Sequence, residues 1–306
     1  MSRPPTHPPP RNQPRPTGDV QPPHDQARQA VAALADGRLA DAERHTSAIP
    51  DTPIILHAWK TYLCGLLAMR RLDLSDAASL LLQAAALAFT EAMGNEGESG
   101  SESLRLSACA LNHAGRVQRR QDRADLAEQT HWAAYHLRQQ HGSWAELSET
   151  AMELGLDCDV AKRFGDGQQW YRAAIESAEQ IGEASTQRER KAVGWTSLAT
   201  SLSEGGQFQL AVDAARTAST LWQEHKPGSV DAARSKLRLG SALLGFAESL
   251  LDDDVTSAES ALNEAVSRLK AAHDELAAFG EECASDVRST NEQREVAEKL
   301  LATLGS

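Results

Sequence analysis

Asn112, Arg116, Arg119 and Arg120 are spaced to fall along one stripe of a helix. An asparagine amide can both donate to and accept from the backbone of an extended peptide. Guanidiniums can hold a carboxylate through two parallel hydrogen bonds. The stripe therefore admits two readings, a site for an acidic or C-terminal peptide, and a solvated basic helix face. Other chemistry has little support. No stretch reads G-x-x-x-x-G-K-[ST], G-x-G-x-x-G, G-x-S-x-G or H-E-x-x-H, so neither a cofactor nor a catalytic set is expected. His131, His136 and His141 follow one another at intervals of five. That spacing sets neighbours about 140° apart around a helix, a poor metal pair. These histidines are expected at the surface or in a groove. Carboxylate pairs are plentiful but fall on polar helix faces, where they read as solvated charge.

Composition narrows the class. Aromatic residues make up 5% of the 306 and apolar residues 41%, with alanine and leucine abundant. That favours helix over sheet. The net charge of −12 argues against nucleic acid as a partner. From Glu248 to Lys299 there are fourteen Asp/Glu against five Lys/Arg, so much of the negative charge is concentrated there. Either a solvated acidic face or a head-to-tail contact with the Arg stripe fits that polarity. Cys64, Cys109, Cys158 and Cys283 are far apart and form no C-x-x-C pair. They read as reduced, mostly buried thiols of a cytoplasmic protein. No run of eighteen apolar residues occurs, so no membrane span is expected. Nine of the twelve prolines fall within residues 1–23, which predicts a disordered tail with P-x-x-P spacings and no secretory signal.

The elements that position the stripe come from Leu111–Ala134, which reads as a helix, a tight polar turn and a second helix. Gly115, Ala127 and Ala134 supply small residues where two helices must touch. The same offsets recur at Gly65, Ala77 and Ala84, at Gly155, Gly167 and Ala174, and at Ala199, Ala211 and Ala218. Trp195-x2-Leu198-Ala199-x2-Leu202, followed by Gly206, Phe208 and Ala211, resembles the tetratricopeptide repeat (TPR) pattern. Between equivalent positions 42, 77, 127, 167, 211 and 258 the steps are 35, 50, 40, 44 and 47. These exceed the minimal period and are similar to the long repeats of kinesin light chains and some bacterial regulators. The resemblance implies an all-α, right-handed superhelical array of antiparallel helix pairs. Its units fall at about 24–49, 53–93, 104–141, 143–182, 185–225 and 229–279, and residues 282–306 form a capping helix. Residues 94–103, GNEGESGSES, read as a flexible acidic loop. The six tryptophans read as packing residues, Trp195 among them.

In such repeats the first helix of each pair lines a concave groove. The resemblance places Tyr62, Asn112, Arg116, Arg119, Arg120, Met152, Asp159, Thr196 and Thr200 on that face as partner-binding residues. The Arg/Asn stripe is similar in kind to carboxylate-clamp TPRs, but Leu66 and Leu156 stand at the neighbouring equivalents. The expected function is a non-catalytic scaffold that holds a peptide or partner segment. The alternative is a peptide-responsive regulator acting on an effector in a separate polypeptide.

Overall fold

The computed structural model describes residues 20–95 and 97–304. Most of the proline-rich stretch, residues 1–19, lies outside them. Residues 20–23 are not tail: Pro22 is buried and Val20 packs against the cluster around Trp59 and Tyr62. Among the described residues there are thirteen α-helices, one short 3-10 turn and no strand. The fold is all-α, as the composition implies.

The protein divides into two compact units, residues up to 162 and from 163 onward. The N-terminal unit holds α1 (Asp25–Ala35), α2 (Leu39–Ser47), α3 (Ile54–Arg70), α4 (Leu74–Gly94), α5 (Glu98–Arg120), α6 (Ala124–His141) and α7 (Trp144–Val160). The C-terminal unit holds α8 (Phe164–Ala178), α9 (Ala184–Glu204), α10 (Phe208–His225), α11 (Val230–Leu250), α12 (Val255–Ala277) and α13 (Ala284–Leu304). Within each unit successive helices pack on one another in pairs. The boundary falls between the two helices of the fourth predicted repeat.

The small residues do what their spacing implies. Ala77, Ala84, Ala127, Ala134, Ala211 and Ala218 are all buried at helix crossings. A Cβ on Gly65 would stand 2.8 Å from the Leu81 side chain, and one on Gly240 would stand 2.6 Å from that of Leu269. Around these contacts Leu63 and Leu67 bind α3 to α1 and α2. Leu81, Leu106 and Val117 join α3, α4 and α5. Each fully buried leucine contributes about 2 kcal/mol.

The turns reveal a second periodicity. Gly37, Leu72, Asp122, Lys162 and Gly206 all have positive φ, between 56° and 74°. Each lies five residues before the small residue that anchors its repeat, so their steps are again 35, 50, 40 and 44. Only two of the five are glycine. Leucine, aspartate and lysine are held there because the helices on both sides fix the turn.

Several expected boundaries move. The stretch 94–103 is mostly helix, since α5 begins at Glu98 and Gly100 and Ser103 are buried. A Cβ on Gly100 would stand 2.2 Å from the Asn95 carbonyl oxygen. That glycine serves a close backbone reversal, not a loose loop. The turn after α7 lies at residues 161–163, and Gly165 and Gly167 fall inside α8. Helix α4 is capped by Asp73, whose carboxylate accepts from the Asp76 N–H at 3.2 Å. By length and composition α4 is also apolar enough to cross a membrane; here one face packs on α3 and α5. On α13, Ala297 and Thr290 pack inward, whereas Val296 faces out.

Candidate partner-binding site

The predicted stripe lies on α5, and its charge is met from within the protein. Arg116 donates through Nε to Glu153 at 2.6 Å and through Nη2 to Glu149 at 2.6 Å. Arg119 donates to Glu153 and, at 2.8 Å, to Asp157. Their side chains are 29% and 18% exposed, so they are the edge of a lattice that continues inward. Glu149, Glu153 and Asp157 follow at i, i+4 and i+8 on α7, one face of that helix. Deeper, Arg105 pairs with Glu146 at 3.2 Å, both fully inside. Arg138 of α6 donates to the Glu146 carbonyl oxygen at 2.8 Å and to the Thr150 hydroxyl at 2.6 Å. Glu146 also closes the start of α7, accepting from the Ser143 N–H at 2.6 Å while the Ser143 hydroxyl accepts from the Glu146 N–H.

His131 is not at the surface. It is completely buried, with Nδ1 2.5 Å from Asp157 and Nε2 3.1 Å from the Asn112 carbonyl oxygen. The carboxylates of α7 are structural partners rather than a solvated face. Burial pushes the Glu153 carboxyl up, but Arg116 and Arg119 more than offset this and hold it below its ordinary value. Burial raises the Cys109 thiol to about 11, so it is inert. Burial likewise lowers His113 to about 4, with the Arg116 charge adding to the effect.

The remaining predicted residues are placed as follows. Tyr62 is buried, its ring edge-on to Trp59 and His113. Asn112 is buried, and its amide meets no protein hydrogen-bond partner among the described residues. Arg120 is exposed, Met152 is buried and Asp159 is half-buried. In the C-terminal unit, the Thr196 hydroxyl donates to the Ala192 carbonyl oxygen and accepts from the Trp222 indole N–H at 3.3 Å. The Thr200 hydroxyl donates to the Thr196 carbonyl oxygen at 3.2 Å. Arg116 and Arg119 are thus brought together with α7, Asn112 meets His131 of α6 through its carbonyl oxygen, and Thr196 and Thr200 serve their own helix pair.

The C-terminal unit carries a feature that the spacing does not indicate. A cleft of about 410 Å³ opens between α8 and α10 over α9. Ile175, Trp195, Leu198 and Leu202 form its floor, and Leu210, 51% exposed, stands at its edge. Arg172, Glu176, Asp213 and Thr217 form the rim. The repeat pattern would seal Trp195 between helices; it is only half-buried because its ring lies under this opening.

No family model matches this sequence, and no curated protein does. Solved structures do. The apo form of RapI superposes with a TM-score of 0.60 at 12% identity, covering 90% of this protein and 96% of that one. A protein from Podosopora anserina described as a kinesin light chain with nearly identical TPR-like repeats gives 0.54 at 12% identity, over 76% of this protein and all of that one. NprR in complex with its cognate peptide NprX gives 0.51 at 11% identity, over 89% and 77%. Such identities speak to fold alone. Together with the recurrent small residues and the matching turns, they show a helical-repeat fold like that of TPR proteins.

Proposed function

We propose that the protein is a non-catalytic scaffold that holds a segment of a partner protein, anchored in the cleft between α8 and α10. The observation that carries this reading is the cleft itself, an apolar floor with a half-buried tryptophan inside a polar rim. Its volume suits a bound side chain and its flanking backbone. Glu176 and Asp213 stand on opposite rims against Arg172. The favoured segment therefore carries an apolar residue flanked by a basic one. This differs from the acidic or C-terminal peptide expected from the Arg stripe, because Arg116 and Arg119 already hold carboxylates of their own protein. The four free cysteines fit a reducing, cytoplasmic setting.

The test is capture from native lysate followed by mass spectrometry, with wild type beside Leu210→Glu and beside Arg116→Ala/Arg119→Ala. Leu210 is exposed, so its replacement leaves the fold intact. Loss of a partner in Leu210→Glu alone supports the cleft. Loss in the arginine variant alone, with its circular dichroism spectrum and melting temperature unchanged, overturns the cleft and returns the site to the α5 face.

One observation favours a second reading, a peptide-responsive regulator acting on a separate effector. NprR, which shares this fold, is seen bound to a peptide. Here the outer ion pairs of Arg116 and Arg119 are partly open to solvent, where a peptide carboxylate would exchange with Glu149 or Glu153.

A further inference from the structure

Helix α4 has an outer face unlike that of its neighbours. Ser75, Ser79, Leu82, Ala86, Phe89 and Met93 all lie along it, with Leu82, Phe89 and Met93 at 39%, 46% and 75% exposure. Their spacings are 4, 3, 4, 3 and 4, the seam of a two-helix coiled coil. The helix carries two carboxylates, Asp76 and Glu91, and no lysine or arginine, in a protein that has 74 charged side chains (31 Lys/Arg and 43 Asp/Glu). The seam itself is uncharged along its whole length, about 27 Å.

The order of residues in the seam determines what covers it. Run antiparallel against itself about a two-fold at the level of Ala84, the seam places Ser75 opposite Met93, Ser79 opposite Phe89 and Leu82 opposite Ala86. Every layer then joins one small and one large side chain, as interdigitation requires. Asp76 comes beside Thr90 of the other copy and Gln83 beside its own equivalent, so no like charges meet. Ala78 and Ala85, buried on the inner side of the seam, let the two helices approach closely. Antiparallel packing also opposes the helix dipoles. A parallel pairing would stack Phe89 on Phe89 and Ser75 on Ser75, alternating overfilled and empty layers. A charged partner would find no counterion on this face, and the net charge of −12 disfavours self-contact at the acidic surfaces.

We propose that the α4 face is a homodimer interface, two copies of the protein packing isologously through antiparallel α4 helices. Sedimentation equilibrium on the full-length protein, between about 1 and 100 μM, is the test, since an equilibrium dimer depends on concentration. Wild type is expected to approach twice 33.0 kDa. Phe89→Glu is expected to stay monomeric with an unchanged circular dichroism spectrum. Ser79→Lys/Phe89→Glu, which creates two ion pairs across the two-fold in the antiparallel register only, is expected to regain the dimer. A monomeric wild type, a Phe89→Glu dimer as stable as wild type, or a double variant that remains monomeric would each overturn the proposal. Wild type that is monomeric but floats with phosphatidylcholine vesicles would assign the face to lipid instead.

Discussion

Gly115 of α5 leaves the space that the His131 ring of α6 fills. A Cβ at position 115 would stand 2.5 Å from the ring Nε2 and 2.6 Å from its Cδ2. The ring has no freedom to retreat, because Asp157 holds one nitrogen and the Asn112 carbonyl oxygen faces the other. Gly115→Ala should therefore destabilise the protein by about 1–3 kcal/mol, the usual cost of overpacking. Gly165→Ala is the control. It lies in α8 with nothing within 4 Å of its would-be Cβ, and should be neutral or stabilising by up to about 1 kcal/mol. Urea unfolding of both variants measures the difference.

Asp157 is fully buried and serves both Arg119 and His131. Asp157→Asn removes the charge that compensates Arg119 and should cost about 3–5 kcal/mol. Arg120→Ala, one residue along α5 but exposed, should change stability by less than about 0.5 kcal/mol. Thermal unfolding of the two variants side by side decides the matter. Equal effects would mean that the lattice contributes nothing beyond a surface charge.

Acid should loosen the N-terminal unit in two overlapping steps. His113 falls from its ordinary 6.5 to about 4 in the fold, chiefly through burial. The unfolded state therefore binds a proton that the folded state refuses, and stability drops as pH falls from 6.5 toward 4. Glu153 is held below its ordinary value by Arg116 and Arg119. Its contribution is complete above the unfolded carboxylate value and is lost as pH falls through the folded one. Melting temperature measured from about pH 7.5 down to about 3 should decline, and His113→Gln should flatten the upper part of that decline.

Leu72 sits at φ 64° with 68% of its surface exposed. It endures a backbone that favours glycine and contributes little packing in return. Leu72→Gly should stabilise by about 1 kcal/mol. A fall in the urea midpoint would show that the exposed side chain packs more than its accessibility implies.

The repeat architecture is legible in the sequence because its signal is steric and local. Gly65, Gly115, Ala199 and their partners recur at fixed offsets, since only small residues fit where paired helices cross. The lattice between α5 and α7 is not legible. Arg116 and Glu153 are 37 residues apart, and nothing in one sequence says whether Glu153 faces an arginine or water. The start of α5 is hidden because Gly97, Gly100 and the serines between and after them describe a loop in isolation, whereas Gly100 is required by the approach of Asn95. The cleft is hidden because Trp195 occupies a position that the TPR pattern reserves for packing. Its exposure depends on how far α8 stands from α10, a property of side chains on three helices.

The pairing of Arg105 with Glu146, Arg116 with Glu149 and Glu153, and Arg119 with Glu153 and Asp157 bears on how the protein finds its shape. Repeats with similar small-residue crossings are interchangeable docking partners for one another, and a helix pair can settle beside the wrong neighbour or one turn out of step. Sliding α7 by a turn along α5 would strand a guanidinium at one end and a carboxylate at the other, away from water, at several kcal/mol each. The charges act as a key that only one neighbour in one alignment can turn, so misassembled intermediates in this half of the protein are short-lived.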